Sequence, residues 1–329
     1  MLKVSCLNIA VAVCGTLLAQ SLPQAHGPQV PLLGFLSSDS PVSIRPIIGS
    51  PGATVLGPEI ALPGDVTRVT PAPGQRFAIV ERSGSSELGI LHLSATEALS
   101  EESLSGAFAH ADSIAFSPSG GVALLYSAST QQAQVLTGLP SGQVAQSLDL
   151  TPLNGAPITS LAISDDAQTT LVGVSNGTSG AVWSFAANQS PRQVLQLGSP
   201  AAMRFLAGRQ DAVVADSAWQ QVSLLTGIAQ ESSVRLLAGA AQGLSTPSDI
   251  EISSDQRRVW IADTTGNLLG VDLSSGATTS AAAPFAPAKL ASLAGRSAFL
   301  VSSSDNASSG VWTPSSPGSE LWRLAGGGK

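Results

Sequence analysis

The chain is written in short apolar runs separated by polar turns. One unit is clear at 247–273: PSDIEIS, the turn SDQRR, VWIAD, a second turn TTGN, then LLGVDL. Six such units follow one another, beginning near Asp65, Asp112, Ile158, Ala201, Ser248 and Ala288. Their first runs read VTRV, SIAF, SLAI, AMRF, DIEI and KLASL, and their second runs FAIV, ALLY, LVGV, AVVA, VWIA and AFLV. Runs this short, rich in β-branched residues and bounded by Ser, Asp, Gly and Pro, predict strands. The second runs are apolar almost without interruption, which marks strands buried on both faces. Later runs such as QVAQSLDL and PRQVLQL are more polar and predict outer strands.

A repeat of about 40–45 residues is the length of one four-stranded sheet in a closed ring of sheets. The expectation is therefore an all-β fold, a six-bladed β-propeller with four-stranded antiparallel blades. The sixth repeat is short of chain for a fourth strand. The isolated segment SIRPII at 43–48 can supply it, because IRPIIGSPGA resembles VRLLAGAAQG in the fourth repeat. On this reading the last blade is closed by the N-terminal strand, with ELWRL as its own third strand. The rival reading makes 310–313 the third strand and ELWRL the fourth. Residues 41–329 are assigned to the propeller and 22–40, rich in Pro, Gln and Ser, to a flexible connector.

Residues 1–21 read as a secretory signal peptide. Lys3 gives a positive start, 7–19 is almost wholly apolar, and Ala19-Gln20-Ser21 offers small residues to a signal peptidase. The run falls short of the roughly 20 apolar residues of a spanning helix, so no stable membrane insertion is expected after cleavage. The expected location is secreted or periplasmic. Both cysteines, Cys6 and Cys14, lie in this segment, so the mature chain has no thiol for a disulfide, a metal or nucleophilic catalysis. Hydrophobic residues make up 43% of the chain and charged residues 11%, as expected of many short strands around a packed interior. The formal charge of −7 becomes more negative once Lys3 is removed, which argues against nucleic acid as a partner.

At SPSGGVALLYSAS and SSDQRRVWIADTTGNLLGVDL the chain resembles the YVTN/NHL-type propeller repeats. The resemblance implies the fold. It does not imply an activity, because proteins with such repeats include binding proteins, lyases, lactonases and scaffolds.

In such a ring the starts of first strands and the ends of second strands share one face, here called the funnel face. Acids recur there: Asp65, Asp112 and Asp249 at first-strand starts, and Glu81, Asp216 and Asp263 at second-strand ends. Two readings stay open. The acids could hold Ca²⁺, which takes several hard oxygen ligands, or each could cap its own turn. Within the first strands, one position holds Ala115 and Ala162 in some units but Arg68, Arg204 and Glu251 in others. Long charged side chains there must reach the axial channel or a partner. They would recognise an anionic ligand or form an internal ion-pair network. Trp312, on a long connection in the sixth repeat, is a candidate exposed contact for sugar or peptide, or it packs on the next blade.

Three histidines, His26, His92 and His110, are too few and too scattered for a three-histidine metal site. No cofactor is expected apart from the Ca²⁺ alternative. The functional expectation is a binding or scaffold protein that recognises a protein, peptide or carbohydrate on its funnel face. The alternative is a metal-dependent propeller hydrolase or lyase of the lactonase kind.

Overall fold

The structure is a computed structural model, and it describes residues 31–324 apart from 51, 95–98, 178, 188, 296, 305–307 and 315–319. The predicted signal segment, residues 1–21, lies outside the described residues. Within them no helix is long and apolar enough to cross a membrane.

The described residues form seven antiparallel sheets, six of four strands and one of three. Blade 1 is the three-stranded sheet Leu32–Asp39, Val42–Ser50 and Ala53–Leu56. Blades 2 to 7 have first strands Val66–Pro71, Ser113–Phe116, Ile158–Ile163, Pro200–Phe205, Pro247–Ile252 and Lys289–Ser292. Each runs outward in chain order to a fourth strand. The molecule is a seven-bladed β-propeller.

The apolar second strands show why the ring closes. Successive side chains of a strand point to opposite faces, so a blade between two neighbours needs apolar residues at every position. In the second strand of blade 3, Ala123 and Leu125 pack towards blade 2, whereas Val122, Leu124 and Tyr126 pack towards blade 4. In blade 6, Val259 and Ile261 face blade 5, and Trp260 and Ala262 face blade 7. Seven apolar clusters result, one at each seam between neighbouring blades.

Two expectations are corrected here. There are seven blades, not six, and the last blade is not closed by the N-terminal strand. Glu320–Arg323, the ELWR segment, pairs with Ser309–Thr313 as the fourth strand of blade 7, so the rival reading holds. SIRPII lies in Val42–Ser50 and pairs with Leu32–Asp39 on one side and Ala53–Leu56 on the other. Leu32–Asp39, expected to be connector, is thus a strand. The physical reason is the hairpin turn at 40–41, which lets LLGFLSSD bury Phe35 and cover Ile44 and Ile47.

Blade 1 closes the ring by packing. On one side Phe35 and Ile44 meet Val69, Ala78 and Val80 of blade 2. On the other, Ile47 meets Leu293, Leu300 and Val311 of blade 7. Hydrogen bonds at one face hold it in place. The buried Gln75 amide accepts from Phe35 N–H at 2.6 Å and donates to its carbonyl at 3.2 Å. Ala294 N–H donates to the Leu33 carbonyl at 2.7 Å. Gln75 and Ala294 both sit in the turn after a first strand, so Leu32–Asp39 begins where the other inner strands end and runs opposite to them. Gly34, at φ +153°, lies against the Gln75 amide, where a Cβ would collide with it.

The same face carries further clasps. Asp165 of blade 4 accepts from Ser119 N–H of blade 3 at 2.8 Å and from Gly208 N–H of blade 5 at 3.0 Å. Burial works against its charge, but these bonds prevail and hold its pKa below the usual carboxylate value.

Candidate functional site

The inner strands surround an axial channel of about 540 Å³. Arg68, Arg204, Asp249, Glu251 and Lys289 all line it. Arg204 of blade 5 lies between two acids of blade 6. Its Nη2 is 3.1 Å from Asp249 Oδ1 and its Nε is 3.6 Å from Glu251 Oε1. Asp249 Oδ2 accepts from Leu290 N–H at 3.0 Å, and the Ser292 hydroxyl donates to Glu251 Oε2 at 3.3 Å. One network therefore ties three blades together.

A third of the Arg204 side chain is exposed to the channel. Burial opposes the Arg204 charge, and the attraction of Asp249 and Glu251 outweighs it, raising the guanidinium pKa. For Glu251, burial comes first and pushes the pKa up. Arg204 pulls it down, Asp249 pushes it up, and the net direction is upward.

Arg68 does not join this cluster. It stands in blade 2, on the far side of the ring, and donates from Nη1 to the Ala111 carbonyl of blade 3 at 2.7 Å. The expected grouping Arg68–Arg204–Glu251 is thus replaced by Arg204–Asp249–Glu251, with Arg68 apart.

On the funnel face His110 bridges two of the candidate acids. Its Nδ1 is 2.5 Å from Glu81 Oε1 and its Nε2 is 3.4 Å from Asp112 Oδ1. The Glu81 hydrogen bond is the main cause of a raised His110 pKa, and partial burial opposes it. Asp112 also accepts from Ala128 N–H at 2.7 Å, and this bond chiefly lowers its pKa.

The remaining acids are engaged within or between blades. Asp65 pairs with Arg82 at 3.1 Å, and Arg82 also binds Glu101. Asp216 is buried and accepts from the N–H groups of Gly198, Ser199, Ala218 and Trp219, at 2.8, 2.8, 3.0 and 3.1 Å. Asp263 is fully buried and accepts from Ser245, Thr246 and Thr265 N–H and from the Thr265 hydroxyl. Burial alone would raise its pKa, but these donors lower it. Among the described residues no three His, Cys, Asp or Glu side chains converge as a metal-holding group.

Trp312 is not an exposed contact. It is 1% exposed, on strand Ser309–Thr313, with its ring edge-on to Trp260 at 5.0 Å. The strand's alternation turns it into the seam with blade 6. The exposed tryptophan is Trp219, in the connection SAWQ at 217–220. Its signal in the sequence is an indole in a very short turn just after a strand-ending acid, where no core is within reach.

Comparison with known proteins adds the fold alone. No protein-family model matches the chain, and no curated protein matches it either. Among solved structures, the chain is similar to a functionally unknown protein from Desulfotomaculum acetoxidans DSM 771. That match has 15% identity and a TM-score of 0.60, and covers 90% of this chain and 96% of the other. It is also similar to a chain of a nidogen/laminin complex, at 13% identity and TM-score 0.50, covering 77% of this chain and 93% of that one. At such identities the likeness is one of architecture.

Proposed function

We propose that this protein is an exported binding or scaffold module that engages its ligand on the funnel face. The carrying observation is that the candidate channel and metal-ligand residues are already engaged within the protein. Arg204 is held between Asp249 and Glu251. Asp216 and Asp263 are buried against backbone N–H groups. These bonds make the channel a structural axle. The exposed connections around its mouth are the surface on offer, and a rigid scaffold carrying loops is the usual way to build a binding face. Kinship with the YVTN/NHL-type repeats is part of this reading and rests on the two segments quoted above.

Export rests on Lys3, the apolar run at 7–19 and Ala19-Gln20-Ser21. Mass spectrometry of natively expressed protein should find an N-terminus near Leu22. An intact Met1 on exported protein would contradict cleavage.

Binding is tested by a paired screen. The mature protein is probed against peptide and oligosaccharide arrays, and separately incubated with aliphatic lactones and Ca²⁺. The reading expects array ligands that protect funnel-face connections from hydrogen exchange. Protection confined to the outer strands would sink it. Lactone turnover that disappears in Glu251→Gln would replace it with the metal-dependent hydrolase.

A further inference from the structure

Trp219 is the one exposed residue among the chain's five tryptophans. Half of its surface is open. Pro200 pairs with Asp216, so the connection 217–220 emerges on the funnel face. The indole is held on a built seat. A Cβ at Gly198 would fall 2.8 Å from Trp219 Cδ1 and 3.0 Å from its Nε1, so the ring lies against that glycine. Both the connection carrying the ring and the connection beneath it are tied to one buried carboxylate. Asp216 accepts from Ala218 and Trp219 N–H above and from Gly198 and Ser199 N–H below. One side of the ring is backed by protein, and the other is presented to solvent by a rigid loop.

The surroundings select the ligand chemistry. The described funnel-face connections of this arc are 150–157, 176–177, 198–199, 217–220 and 239–246. They contain no Asp, Glu, Lys, Arg or His. They carry exposed or half-exposed hydroxyl and amide groups instead, among them Asn154, Ser199, Ser217, Gln220 and Gln242. The neighbouring arc, blades 2 and 3, is charged, with Asp65, Arg82, Glu87, His110 and Asp112. A protein interface core gathers several apolar anchors. Among the described residues the other exposed large apolar residues are Val55, Val234 and Leu236 on outer strands and Leu32 at the start of Leu32–Asp39, away from the funnel face. A single amphipathic ring among neutral donors and acceptors suits a ligand with an apolar ring face and many hydroxyls.

We propose that Trp219 is the stacking platform of a site for neutral carbohydrate, built by the uncharged connections of blades 4 and 5. The proposal rests on the binding reading above and names its ligand class. Gly198 and Asp216 are positioning residues. They seat and aim the indole and do not touch the sugar.

The test uses the mature protein and three probes, maltohexaose, cellohexaose and chitohexaose. Indole N–H signals are followed by NMR, and Trp219→Phe identifies the signal of interest. The proposal expects at least one probe to shift that signal saturably. Trp219→Ala should weaken binding by about tenfold or more with an unchanged melting temperature. Gly198→Ala, whose Cβ would press on Ala218 as well as on the ring and so shift the connection without removing the indole, should weaken binding by a smaller factor. Leu236→Ala, on an outer strand, should leave it unchanged. No shift with any of the three sugars overturns the proposal, as does undiminished binding in Trp219→Ala. An equal shift with a capped alanine peptide overturns it too. A peptide that protects funnel-face connections away from Trp219 would leave the binding reading standing while this inference fell.

Discussion

Arg204 shows what a charged residue does inside a ring of strands. Its guanidinium holds two carboxylates from the next blade, and those are held in turn by Leu290 N–H and the Ser292 hydroxyl. Replacing Arg204 by Ala leaves both acids facing one another without their shared cation. Loss of hydrogen bonds to charged groups should cost about 1.5–3 kcal/mol at neutral pH. Denaturant titration will measure it. The deficit should shrink as pH falls, because Glu251, whose pKa already lies above the usual value, takes up a proton and removes the repulsion. His110 has the opposite linkage. Its pKa is raised by Glu81 and Asp112, so its contribution is present below its unfolded value of about 6.5 and fades as pH rises through the higher folded value. Melting curves of the parent and His110→Gln should separate near pH 6 and merge at alkaline pH. A gap that widens with pH would contradict the assignment. These residues stood out in the sequence because charge occupied a position that is Ala in other repeats. That Arg68 would stand apart was not legible, since its distance from Arg204 depends on how many blades intervene.

At the scale of elements, the second strands were the most legible part of the fold. An apolar residue at every position has one economical explanation, burial on both faces, and the seams bear it out. Leu125, fully buried between blades 2 and 3, should lose about 2–5 kcal/mol on replacement by Ala. A loss well under 1 kcal/mol would place that strand outside the core. Blade 1 was hidden for a local reason. LLGFLSSD carries a glycine inside a short apolar run and follows a segment rich in Pro and Gln, so it reads as connector. Trp312 was misplaced, and Trp219 passed over, for the same kind of reason. A long connection suggests exposure, but Trp312 belongs to a strand inside it, whereas Trp219 sits in a turn too short to fold back on anything.

At the scale of the molecule, blade number is a property of closure, and repeat counting does not determine it. Six full repeats leave a gap, and the three-stranded sheet fills it with one apolar seam on each side. Because this sheet is not woven into blade 7, blades 1 and 7 meet through side chains and the Leu33–Ala294 hydrogen bond. Removing it would expose two blade faces, a state prone to aggregation. The most direct measurement is thermal unfolding with sedimentation of a mature protein that lacks residues 31–56. The seven-bladed account predicts a large fall in melting temperature and aggregation that the parent does not show. A truncated protein that sediments without aggregates and melts with its parent would mean that the six repeats close on themselves, and would contradict it.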